Sequence, residues 1–152
     1  MKARTILASL AVFLPVIALG SGLDAQIGTW KLNESKSKLG AARNHTVVYA
    51  MAGDDLKVTV DGVDNDGKPA HNEWTGKVDG KDYPVSGDPN GDTRSYRRID
   101  DRTLEFVGKK GGKANVTGKV ALSADGKVRT VTTTATDAKG KKVQNTAVYD
   151  KQ

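Results

Sequence analysis

The stretch VTGKVALSADGKVRTVTTTAT (116–136) decides the fold. Valine and threonine fill both arms, as they do in pleated, half-buried strands. Between the arms, Asp125-Gly126 supplies residues that accept the positive φ of a tight hairpin. A three-residue loop with Gly126 in the left-handed region is the natural connection in SADGK (123–127). Ser123 then pairs with Lys127, Leu122 faces Val128, Val120 faces Thr130 and Gly118 faces Thr132. That register turns Val128 inward and Arg129 outward, and it lays Thr130, Thr132 and Thr134 along an inner face. A two-residue loop would reverse the second strand and bury Arg129 beside Leu122, which desolvates a charge.

The same punctuation recurs outward from this hairpin. Asp61-Gly62, Asp66-Gly67, Asp79-Gly80, Asn90-Gly91 and Gly111-Gly112 are further turn signals. Between them the chain reads as strands at 28–32, 45–51, 56–63, 71–78, 81–85, 93–99, 103–109, 114–122, 128–136 and 143–150. The spacing predicts an all-β domain, an antiparallel meander of about eight to ten strands in a closed or open barrel. No window carries a helical period. Glu34 to Ala42 allows one helical turn, and Gly40 and the serines argue against more.

Leu56, Val58 and Val60 alternate with Lys57, Thr59 and Asp61, and Leu104 and Phe106 flank Glu105. The last two strands offer Thr130, Thr132, Thr134, Asn145 and Ala147 instead. An interior part apolar and part polar suits a barrel with a cavity.

The N-terminus has the pattern of an export signal. Lys2 and Arg4 precede the uncharged run Ile6–Leu19, and small residues follow at Gly20, Ser21, Gly22 and Ala25. The run is shorter than the ~20 apolar residues that cross a bilayer, and Pro15 interrupts it. Residues 1–25 are expected to be a signal peptide and 26–152 the mature domain. Cleavage after Gly20 or Gly22 is the alternative to cleavage after Ala25. The expected location is periplasmic or secreted, without a stable membrane anchor.

The 152 residues contain no cysteine, which excludes disulfides, thiolate metal sites and a cysteine nucleophile. Net charge is +6, and removal of Lys2, Arg4 and Asp24 with the signal leaves +5. Both signs are interspersed, a solubility pattern and not a nucleic-acid stripe. His71 and Glu73 share a strand face but lack a third metal ligand. Asp64, Asp66 and Glu73 imitate part of a calcium loop whose first position would be Gly62, so a hairpin turn accounts for them better. No Gly-x-Ser-x-Gly elbow or phosphate loop is present. No catalytic residue, cofactor or metal is assigned, and nucleic acid is not an expected partner.

Gly28-Thr29-Trp30 on the first strand resembles the Gly-x-Trp motif of lipocalins. The longer stretches GTWKLNESKSKL (28–39), DGKDYPVSGDPNGD (79–92) and AVYDKQ (147–152) resemble a group of small exported bacterial proteins of uncharacterised function. The lipocalin resemblance implies a tryptophan closing one end of a barrel, with a basic residue near the last strand stacked upon it. Lys151 stands after the last strand and Arg129 on the strand before it. The strand count exceeds the lipocalin eight and is nearer that of fatty-acid-binding barrels.

Together these readings give an exported, noncatalytic, lipocalin-like barrel holding a small apolar or amphipathic ligand. Trp30 would close the barrel, Trp74 and Phe106 would line the cavity beside the ligand's chain, and Thr130, Thr132 and Thr134 would meet its polar end. The alternative is an envelope module that binds a protein or polysaccharide through a sheet face.

Overall fold

A computed structural model describes residues 22–152. Most of the expected export segment, including Lys2, Arg4 and Ile6–Leu19, lies outside the described residues. Ten strands follow in order: β1 (Gly28–Leu32), β2 (Arg43–Ala52), β3 (Asp55–Val63), β4 (Pro69–Gly76), β5 (Tyr83–Ser86), β6 (Thr93–Asp100), β7 (Thr103–Lys110), β8 (Lys113–Leu122), β9 (Val128–Thr136) and β10 (Lys142–Lys151). Each pairs antiparallel with its neighbour in sequence, and β1 also pairs with β10, closing the barrel. Closure leaves no free sheet edge to template pairing with another chain. Two 3₁₀ turns, Asp24–Gln26 and Glu34–Lys36, are the helical elements among the described residues. The second is the single turn expected after Glu34.

Because the strands alternate in direction, the N-terminal turn and the β2–β3, β4–β5, β6–β7 and β8–β9 connections share one end. That end is shut. Leu23 and Gln26 are buried beneath it, and the Gln26 side-chain amide donates to the Arg102 carbonyl at 3.3 Å. Trp30 is fully buried above them and donates its indole N–H to the Gln26 carbonyl at 3.1 Å. Gly28 has φ +137, and a Cβ there would sit 2.9 Å from Cε of Lys151. The missing side chain lets Lys151 lie across the tryptophan, its Nζ 5.3 Å from the ring centroid. The Gly-x-Trp spacing is thus explained by one covering lysine.

The β8–β9 hairpin differs from the sequence expectation by one residue. Leu122 pairs with Arg129, Val120 with Val131 and Gly118 with Thr133. Side chains, more than the glycine, set this register. Ser123 Oγ donates to Asp125 Oδ1 at 2.6 Å, and the same carboxylate oxygen accepts from the Lys127 N–H at 3.0 Å. Ser123 Oγ also accepts from the Val128 N–H at 3.0 Å. These bonds stabilise a loop one residue wider than the expected one. A one-residue shift exchanges the faces of the whole strand. Arg129 is therefore inside, 1% exposed, and Thr130, Thr132 and Thr134 point outward beside Lys119. Gly126 keeps the expected positive φ of +71 with nothing within 4 Å of an added Cβ. Gly126→Ala should cost about 1 kcal/mol through backbone strain alone. A urea midpoint equal to the parent's would contradict the positive φ.

Candidate functional site

A cavity of about 100 Å³ lies inside the barrel above Trp30. Its apolar lining is Val47, Val58 and Val60 from β2 and β3, and Phe106, Val120 and Val131 from β7, β8 and β9. Interleaved with these are Asn44, Asn72, Arg94, Arg129 and three tyrosines, Tyr49, Tyr96 and Tyr149. Tyr49 is paired with Val58, Asn72 with Val60 and Tyr96 with Phe106. Strand alternation puts all of these on inner positions, apart from Asn44, which lies beside the β2 bulge at Asn44/Thr46.

Arg129 sits at the closed side of this space. Its guanidinium carbon lies 3.7 Å from the Tyr49 ring centroid and 5.2 Å from that of Trp30. Among the described residues, Nε, Nη1 and Nη2 all lack a hydrogen-bond partner. Such a desolvated cation–π contact contributes roughly 2 kcal/mol, whereas burying one charge costs several. The aromatic rings therefore offset only part of the cost. Arg94 is different. Its guanidinium reaches Asn72 Oδ1 and Asp88 Oδ2, both at 3.4 Å, so its charge is answered by a carboxylate. Among the described residues lining the cavity there is no carboxylate at all.

Tyr49 and Tyr149 stay protonated. Burial pushes the Tyr49 phenol far above its ordinary range, against the opposing pull of Arg129. Burial likewise pushes Tyr149 up to about 12, with Arg129 again opposing. Tyr49 and Tyr96 stand with their hydroxyls 3.4 Å apart. At neutral pH the cavity thus presents the neutral hydroxyls of Tyr49 and Tyr149 beside two guanidinium groups.

Of the six residues that the sequence pointed to, Phe106 lines the cavity. Trp30 lies below it, at the closed end, in contact with Arg129. Trp74 is 1% exposed and stands on the inner face of β4 in the core beside the cavity, its ring 4.7 Å from that of Tyr96 and 5.9 Å from that of Tyr83. Thr130, Thr132 and Thr134 are outside the barrel, for the register reason given above. Their places on the inner face of β9 belong to Arg129, Val131 and Thr133. The sequence reading passed over Tyr49, Tyr96, Tyr149 and Arg94 as cavity residues. The alternations Val47/Tyr49 and Ala147/Tyr149 were the available signal. Both cations proposed as partners of the tryptophan are at Trp30, Arg129 at 5.2 Å and Lys151 at 5.3 Å.

On the outer surface His71 bonds Asp61 at 2.6 Å and approaches Glu73 at 3.5 Å. The Asp61 hydrogen bond raises the His71 pKa above its ordinary value. No metal-binding cluster of three or more His, Cys, Asp or Glu occurs among the described residues.

No family model and no curated protein matches the chain. Solved structures do. EF1p2_mFAP2b bound to DFHBI is 11% identical, with a TM-score of 0.50, over 86% of this chain and 97% of its own. A redesigned β barrel, mFAP1, bound to DFHBI, is 17% identical, with a TM-score of 0.44, over 84% of this chain and 97% of its own. The first of these likenesses bears out the barrel fold.

Proposed function

We propose that this chain is an exported, noncatalytic barrel that holds a small amphipathic molecule in the cavity above Trp30. The carrying observation is the mixed lining, in which valines and Phe106 alternate with tyrosines, asparagines and arginines around one small cavity. Concave sites with an apolar wall and a few convergent polar groups are the usual form of a small-molecule pocket. That EF1p2_mFAP2b, a solved barrel of like fold, is bound to DFHBI agrees with this reading. A dry cavity of ~150 Å³ admits benzene. The smaller space here suits a head group and a short chain, with any longer tail leaving past Asn44 and Asn72. The interaction-module alternative lacks a matching surface. The exposed large apolar residues among those described are Met51, Ile99 and Val143, on three different strands and none of them aromatic.

Native mass spectrometry of protein purified from its own envelope tests the reading. A retained small molecule, lost on denaturation, is expected. An empty barrel that also fails to respond to any amphipathic probe by tryptophan fluorescence would overturn it. Gly118→Ala should act on the same site. An added methyl would overlap the Phe106 ring, whose Cδ1 would stand 3.0 Å away. Turning that ring into the cavity should weaken ligand binding about tenfold, with a folding cost of about 1–3 kcal/mol. Unchanged affinity in a titration would place the ligand elsewhere.

Export belongs to the same proposal, on the strength of Lys2, Arg4 and the run Ile6–Leu19. Leu23 and Gln26 are part of the barrel floor, which favours cleavage after Gly20 or Gly22 over cleavage after Ala25. N-terminal sequencing of the envelope protein should find Ser21 or Leu23 first. Gln26 would show that Leu23 is dispensable to the floor, and Met1 that no signal is removed.

A further inference from the structure

We infer that the head group received by Arg129 is a carboxylate; this rests on the ligand-binding reading above and specifies its chemistry. Arg129 is 1% exposed, lines the cavity, and has all three side-chain nitrogens without partners among the described residues. A guanidinium is always charged and strongly prefers not to be buried without an acceptor. Its neighbours within the barrel do not supply one. Tyr49 and Trp30 meet it with their ring faces, which leaves the N–H edges free for an in-plane acceptor. The other cation of the lining, Arg94, already has Asp88 and Asn72, so the uncompensated charge of the lining lies at Arg129.

A carboxylate meets these conditions. Its two oxygens match the guanidinium fork in a bidentate pair. Its small size fits a space of about 100 Å³ and leaves room for a short chain against Val47, Val60 and Val131. The hydroxyls of Tyr49 and Tyr149, protonated at neutral pH, are further donors for it. Neutral or cationic head groups would leave the buried charge unanswered or oppose it.

The test titrates the full mature chain with butyrate, octanoate, butyramide, butylamine and inorganic phosphate, read by calorimetry and by tryptophan fluorescence. Butyrate or octanoate should bind at least about tenfold more tightly than the amide, since a charged hydrogen-bonded pair contributes more than a neutral one. Butylamine should not bind. Arg129→Met, which keeps the volume and removes the charge, should abolish the difference between acid and amide. Arg129→Lys keeps a charge without the fork and should retain only part of the preference, and it serves if the methionine variant does not fold. Arg97→Gln, on the exposed outer face in an ion pair with Glu105, should behave as the parent.

Amide binding as tight as acid would overturn the carboxylate inference while leaving the ligand reading intact. So would a preference for acid that survives Arg129→Met, or binding of phosphate without either acid. If none of the probes binds, both readings fail.

Discussion

Trp74→Ala should lower stability by about 3–5 kcal/mol, the range for removing a large aromatic from a closed core. The indole is 1% exposed and donates to the Arg94 carbonyl at 2.8 Å. It meets Tyr83 nearly at right angles, 89° between planes, and Tyr96 in a tilted contact at 4.7 Å. Aromatic contacts of this kind add about 0.5–1.5 kcal/mol each to the area buried. Gly76 is fitted to the same cluster. A Cβ there would lie 2.5 Å from the Tyr83 ring and 2.8 Å from Cζ2 of Trp74. The main effect of the substitution is thus on folding, with any loss of binding following from a disturbed Tyr96. Urea denaturation checks this. A change below about 1 kcal/mol would mean that Trp74 is not where the barrel places it.

Gly62→Ala should be the other severe substitution, at about 3 kcal/mol, the upper part of the range for overpacking. Gly62 pairs with Asn44, beside the bulge in β2 between Asn44 and Thr46. A methyl group there would overlap the Arg43 carbonyl oxygen and come within 2.9 Å of the Asn44 Cα. Both obstacles are backbone, so no side-chain rotation relieves the clash. The bulge itself would have to move, disturbing Asn44 at the rim of the cavity. Thermal melting should show a clear drop, and an unchanged melting temperature would contradict the close approach of β2 and β3.

The ten strands were legible because their boundaries are chemical. Asp-Gly or Asn-Gly stands in four of the nine connections and Gly111-Gly112 in a fifth, while Asp61-Gly62 lies inside β3, and the expected strand limits differ from those observed by two residues at most. Face assignment is harder, because it hangs on loop length. At residues 123–127 the glycine rule pointed to three residues, while Ser123 and Asp125 form side-chain bonds that fit a loop one residue longer. The cost of burying Arg129 also argued against the observed register. What partly offsets that cost is aromatic and distant in sequence: Tyr49 on β2 and Trp30 on β1. Closing the meander brings these strands round to β9 by way of β10, a contact that no local pattern encodes. The same shift explains why Thr130, Thr132 and Thr134 were read as cavity residues. Trp30 lies at the closed end, where the glycine of its short motif, Gly28, leaves room for the distant Lys151 across the ring.

The central claim is that Arg129 is an inward, aromatic-stacked cation with free donors at the cavity. Nitrogen-15-edited nuclear magnetic resonance of the arginine Nε–H groups, with and without added butyrate, addresses it directly. One Nε–H should be protected from exchange, with its side chain shifted upfield by the Tyr49 ring 3.7 Å away. That resonance should be the one that moves downfield as butyrate is added, and it should vanish in Arg129→Lys. If every arginine Nε–H exchanges rapidly at ordinary shifts and none responds to butyrate, Arg129 faces solvent and the account of the site is wrong.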